Sequence, residues 1–99
     1  MSEYFVIESF ELHDKQLDNW IKLSKEIDTD ISKADGFISR DSGIDGDKRV
    51  YCLVKWKSKD YQEAFMKQLT ARDDWENMMN YFGSIANMKT DKRQEIEIF

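Results

Sequence analysis

Residues 49–56, Arg49-Val50-Tyr51-Cys52-Leu53-Val54-Lys55-Trp56, decide the fold. Side chains alternate across an extended chain, so Val50, Cys52, Val54 and Trp56 share one side and Tyr51 and Leu53 the other. A strand apolar on both sides belongs in the middle of a sheet rather than at its rim. Just upstream, Gly43-Ile44-Asp45-Gly46-Asp47 carries the glycines and aspartates that hairpin loops use, and residues 37–43 form a more modest strand ahead of it. The two arms read as a hairpin.

On the C-terminal side, Ser58 is placed to cap a helix with Tyr61, Ala64, Phe65, Gln68 and Leu69 along one stripe. Asp73 or Asp74 then restarts a helix carrying Trp75, Met78, Met79 and Phe82, which implies a bend near Arg72. Asp91-Lys92-Arg93 is read as the turn into a last strand, in which Gln94, Ile96 and Ile98 alternate with Glu95 and Glu97. That strand is half buried and belongs near an edge.

On the N-terminal side, residues 4–12 form another strand apolar on both faces, with Tyr4, Val6 and Phe10 on one and Phe5 and Ile7 on the other. Asp14 is placed to cap a helix over residues 15–33, in which Leu17, Trp20, Ile21, Ser24, Ile27 and Ile31 follow helical spacing and Gly36 serves as terminator. The order is β-α-β-β-α-β, an α+β, ferredoxin-like arrangement with one antiparallel sheet and its helices on one side. Residues 1–99 form a single domain, since 99 residues fit one core and the chain has no proline, repeat or linker.

Helices on one side leave the other bare. Apolar groups of the central strands, including Val6, Phe10 and Val54, would then expose a patch larger than a monomer usually tolerates. A homodimer joined sheet to sheet is expected, because burying a few hundred Å² of apolar surface at roughly 25 cal/mol per Å² offsets several kcal/mol of association cost.

Composition narrows the partners. With 20 acidic against 15 basic residues the formal charge is −5, a field that repels phosphate backbones and anionic lipid. Neither nucleic acid nor membrane is an expected partner. No apolar run approaches the roughly 20 residues of a membrane span, and Met1, Ser2 and Glu3 lack the basic start of a signal peptide, so a cytoplasmic location is expected. Cys52 has no second cysteine to bridge, and His13 is the only imidazole, so no metal site is expected. Asp45-Gly46-Asp47-Lys48-Arg49 has too few acidic residues for a calcium loop and reads as a solvated hairpin turn.

The same element order occurs in RNA-recognition motifs. Arg49, Tyr51, Val54 and Trp56 match that module's third strand in part, but Val50, Cys52 and Leu53 replace its glycine, small residue and middle aromatic. The stacking platform is incomplete and the charge has the wrong sign.

The Gly36-Phe37 pair opening the second strand, and a third strand ending in Trp56-Lys57-Ser58-Lys59 before a helix, resemble the antibiotic biosynthesis monooxygenase (ABM) superfamily over nearly the whole chain. The resemblance implies ferredoxin-like subunits pairing into a dimeric α+β barrel. One branch of that family degrades haem with a histidine, a tryptophan and an asparagine; these positions fall here at or near Trp75, at Phe65 and near Ser9, beside Glu8 and Phe10. None carries the needed group, so haem degradation is not expected.

Other members oxidise electron-rich aromatic substrates without metal or flavin, the substrate's own carbanion activating dioxygen. The resemblance thus implies a small-molecule monooxygenase needing no cofactor, with a small aromatic ligand in a dry pocket between helices and sheet. Phe65, Trp75, Met78 and Tyr81 are the candidate wall, and Ser9, His13 and Asn77 or Asn80 the candidate polar groups. His13 is the candidate base, being the side chain whose ordinary pKa suits proton transfer near neutrality. Against this stands a plainer reading. Aromatic and methionine side chains at helical spacing are ordinary core, and a non-catalytic ligand-binding or stress-associated dimer would have the same sequence features.

Overall fold

The computed structural model describes residues 2–99. The chain runs β1 (Tyr4–Leu12), α1 (Leu17–Ile31), β2 (Phe37–Ile44), β3 (Arg49–Trp56), α2 (Lys59–Thr70), α3 (Trp75–Ile85) and β4 (Ala86–Glu97). The strands form one sheet in the order β2-β3-β1-β4, every neighbouring pair antiparallel. The two strands apolar on both faces, β1 and β3, are central, and β2 and β4 are the edges.

The hairpin between β2 and β3 is closed by one carboxylate. Asp45 Oδ1 accepts the amides of Asp47 at 2.8 Å and Arg49 at 2.9 Å, which is how an aspartate substitutes for a further backbone turn. The break between α2 and α3 is held by Arg72, whose guanidinium donates twice to the Asp74 carboxylate, at 2.9 and 3.0 Å.

Several local expectations are corrected. Asp14 caps nothing: α1 begins after Gln16, no side chain caps it, and Lys15 takes a positive φ of 62° to turn the chain out of β1. α1 ends at Ile31 rather than residue 33, so Gly36 does not terminate it. Gly36 instead adopts φ +78° just before β2, where the ring of Tyr61 lies against its Cα. Ser58 does stand at the N-terminus of α2, but its hydroxyl makes no capping bond and is buried without a partner. β4 begins at Ala86, directly out of α3, so Asp91-Lys92-Arg93 lies within the strand and is not a turn. The β1–β4 register shifts between Ser9 and Glu11, and this irregularity lets so long a strand stay paired.

All three helices lie on the side of the sheet that carries Tyr4, Val6 and Phe10. One buried cluster joins Phe10, Val50 and Cys52 to Trp20 of α1 and Ile85 of α3, with Phe82 packed against it. Phe10, Trp20 and Phe82 meet edge to face, with centroids 5.1, 5.3 and 5.9 Å apart. The other cluster joins Tyr4, Val6 and Trp56 to Ile31 of α1, with Phe65 of α2 and Val54 against it. Fully burying side chains such as Phe10, Val50, Trp56 and Ile85 stabilises the fold by roughly 1.5–3 kcal/mol each.

The face assignment expected for Val6, Phe10 and Val54 is therefore corrected: these residues pack under the chain's own helices. The face left bare carries the opposite set. Phe5, Ile7, Tyr51 and Leu53 are half-buried there, and Ile96, paired with Phe5, is exposed. Alternation made both sets apolar, and only the packing of the helices distinguishes them.

Candidate functional site

A row of mostly polar side chains borders the first core cluster, to which its Cys52 belongs. In the sheet register, Ser42 of β2 stands opposite Cys52 of β3, Cys52 opposite Glu8 of β1, and Glu8 opposite Arg93 of β4. Directly opposed residues share a face. The row crosses the helix-covered side between Val6 and Phe10, the two apolar neighbours of Glu8 on that side of β1.

At the β1–β4 end, Arg93 Nη1 donates to Glu8 Oε2 at 2.9 Å and Arg93 Nη2 to Glu95 Oε1 at 3.2 Å. Burial, and then the nearby charge of Glu95, raise the pKa of the Tyr4 hydroxyl further down the strand pair. Asp91, two residues before Arg93 on β4, brings its carboxyl next to that of Glu8. One Asp91 oxygen, Oδ1, is buried with no partner. The Glu8 side chain is 22% exposed and that of Arg93 40%, so water reaches this end of the row from the β4 edge.

Glu8 is not an ordinary carboxylate. Burial penalises its charge, the hydrogen bond to Asp91 favours its protonated form, and the charge of Asp91 repels a second negative charge; these outweigh Arg93 and push its pKa up to about 7. A carboxyl that titrates near neutrality can both take and return a proton there.

At the β3–β2 end the row is tied down. The Arg40 side chain is only 4% exposed. Its Nη1 donates to the Ser24 carbonyl at 3.2 Å, the Ser24 hydroxyl at 2.9 Å and Asp28 Oδ1 at 2.7 Å, and its Nη2 lies 3.6 Å from Cys52 Sγ. Burial raises the Cys52 thiol pKa above its usual value despite the nearby guanidinium. Outside Arg40, a recess of about 470 Å³ runs between α1 and β2, bordered by Trp20, Ile21 and Ile44.

The residues singled out from the sequence are dispersed around this row. Ser9 is buried, but alternation sets it on the opposite face of the sheet, where its hydroxyl accepts from Arg49 Nε at 3.0 Å. His13 is exposed in the turn after β1, with Nε2 3.1 Å from the Gly83 carbonyl, which ties that turn to α3. Phe65 is half-buried against Trp56, ring centroids 5.3 Å apart. Trp75 and Met78 are half-buried in the first turn of α3, while Asn77, Asn80 and Tyr81 are exposed. The fold does not bring Ser9 to the side of Phe65, Trp75 and Met78. Among the described residues, no three His, Cys, Asp or Glu side chains converge as a metal site.

Glu8, Asp91 and Arg93 were not singled out as site residues from the sequence. A signal existed for Glu8: it completes the buried series Tyr4, Val6, Phe10, and a charged residue in such a series needs a partner. No comparable signal marks Arg93, whose relation to Glu8 depends on the register of strands at opposite ends of the chain.

No family model matches the sequence, and no curated protein matches it. Solved structures do. SnoaB, a cofactor-independent oxygenase from Streptomyces nogalater, superposes with a TM-score of 0.75 at 10% identity, covering 100% of this chain and 95% of that one. A candidate antibiotic biosynthesis monooxygenase from Chloroflexus aurantiacus gives 0.73 at 15% identity, over 99% of this chain and 94% of that one. Rv0793 from Mycobacterium tuberculosis gives 0.77 at 14% identity, over 99% and 96%. The chain thus has the ABM-like fold that the sequence resemblance implied.

Proposed function

We propose that this chain is a small-molecule monooxygenase of the ABM type, oxidising an electron-rich aromatic hydroxyl compound without metal or flavin between its helices and its sheet. The observation that carries the reading is the Glu8–Arg93 pair, an acid–base group and a cation set between two apolar clusters on the helix-covered side. The fold shared with a cofactor-independent oxygenase supports it. Phe65, Trp75 and Met78, half-buried on α2 and α3, and exposed Tyr81 are the side chains proposed to meet the substrate. Arg93 stabilises a phenolate, and apolar surroundings strengthen that attraction. Ser9 has no part in this reading because of its face, and His13 stands apart from the pair, in the turn that its Nε2 ties to α3.

The chemistry balances without a cofactor. Loss of a proton leaves the electron pair on the substrate, whose carbanion form reduces dioxygen; an activated CH₂ becomes C=O, one oxygen atom stays in that carbonyl, and the other leaves as water with the two hydrogens. The apolar face formed by Phe5, Ile7, Tyr51 and Leu53 supports a homodimer joined through it, in keeping with the expected cytoplasmic, two-subunit protein.

The test uses a hydroxylated anthrone as probe. The expected result is dioxygen uptake matched by quinone formation in chelator-treated buffer. If the protein neither binds the probe in thermal-shift titration nor speeds its oxidation, and the same holds across a panel of phenolic aromatics, the non-catalytic dimer is the better reading.

A further inference from the structure

We infer that Glu8 is the catalytic base of this site and that Asp91 is its positioning partner, the two carboxyls sharing the one proton taken from substrate. This rests on the oxygenase reading. It starts from geometry: Glu8 stands on the helix-covered side in register with Cys52 and Arg93, its carboxyl 2.9 Å from Arg93 Nη1, and Asp91 precedes Arg93 by two residues on β4, its carboxyl next to that of Glu8. Two carboxyls side by side repel each other when both are charged, so a single proton between them is favoured. The buried, unpartnered Oδ1 of Asp91 adds to the case, because a desolvated acceptor without a donor is costly unless a proton or ligand satisfies it in part of the cycle.

The charged and titratable groups around Glu8 are few. Cys52 faces it from β3, with Arg40 of β2 behind the thiol. From β4 come Asp91 and Arg93, and Arg93 also holds Glu95. α1 and α3 meet this side with Trp20, Phe82 and Ile85, and α2 brings Lys59 and Glu63 near Tyr4 at the far end of the strand. The groups nearest Glu8 therefore act in opposition: Arg93 favours its charged form, and burial with Asp91 favours the proton.

The step is a proton transfer. Above neutrality Glu8 has lost its proton; the O–H bond of the substrate's enol form breaks, the proton passes to Glu8 and is held between Glu8 and Asp91, and the electron pair, on the oxygen beside Arg93, is shared with the carbon that meets dioxygen. Asp91 keeps the proton on Glu8, so its charge sets the pH at which Glu8 empties. Returning the proton to the departing water restores the pair.

Two measurements on the intact protein test this. In carboxyl carbon NMR, Glu8 should titrate near pH 7 and move towards the ordinary carboxylate range in Asp91→Asn; a Glu8 midpoint of 4–5 in the wild type, or one unmoved by Asp91→Asn, overturns the shared proton. With the hydroxylated anthrone as probe, the rate should rise through about pH 7 to a plateau, and Glu8→Gln should lower it by roughly 10²–10⁴-fold and abolish the rise. Asp91→Asn should shift the rise to lower pH, which a merely structural role would not do. Glu8→Gln oxidising the probe at the wild-type rate and pH profile overturns the base while leaving the oxygenase reading intact. No oxidation by the wild type, with the NMR titration as expected, overturns the oxygenase reading and the base together and leaves only the proton-sharing pair.

Discussion

Arg93 Nη1 and Glu8 Oε2 are 2.9 Å apart, joining β1 to β4 across 85 residues of sequence on the side of the sheet that the helices cover. The pair is half-solvated on the arginine side and largely buried on the glutamate side. The carboxyl therefore bears most of the desolvation, and its protonation is the property by which the site can be measured.

The pH dependence of stability has a definite sign. Glu8 has a folded-state pKa raised from 4.5 to about 7, so between those values the native protein holds more protons than the unfolded chain. Stability then falls as pH rises through that window, by at most about 1.4 kcal/mol for each unit of the shift. Glu8→Gln, whose amide can still accept from Arg93 and donate to Asp91, should be about as stable as the wild type near pH 4.5 and more stable above pH 7. Thermal denaturation at a series of pH values checks this, and a wild-type advantage above pH 7 would contradict it.

The open face of the sheet gives a second prediction. Leu53 is paired with Ile7 at its centre, whereas the next residue, Val54, packs under the helices beside Trp56 and Phe65. Leu53→Glu should give a folded monomer by sedimentation, and Val54→Glu should lose the cooperative melting transition instead. A wild-type chain that sediments as a monomer at micromolar concentration would remove the proposed interface.

Gly36 should not tolerate a side chain. Its φ of +78° is costly for an L residue, and an added Cβ would fall on the ring of Tyr61. Gly36→Ala should cost about 2 kcal/mol or more, on the order of 10 °C in melting temperature for a domain of this size. Gly46→Ala, where an added Cβ meets nothing within 4 Å, is the control and should change little.

The Cys52 thiol is buried, and burial holds its pKa above the usual thiol value. Reaction with a disulfide reagent at pH 8 should be at least about tenfold slower in the native protein than in denaturant. Equal rates in the two states would mean that the row beside the first core cluster opens readily to solvent.

Much of this protein was determined by its sequence alone. The double-sided apolar runs of Tyr4–Leu12 and Arg49–Trp56 required two central strands, the Gly43–Asp47 segment required a hairpin, and the restart near Arg72 required two helices where the simplest topology has one. These are local matters, set by alternation, helical spacing and turn chemistry over a few residues. Tertiary structure decided the rest. Both sides of β1 are apolar, so only the packing of Trp20, Phe82 and Ile85 onto Phe10 determines which side is the core and which is left bare. Glu8 acquires its character from Asp91 and Arg93, residues that read as a turn until β4 is extended back to Ala86 and its register is shifted between Ser9 and Glu11. A pKa depends on burial and on charges a few ångströms away, and neither exists until strands from opposite ends of the chain are paired.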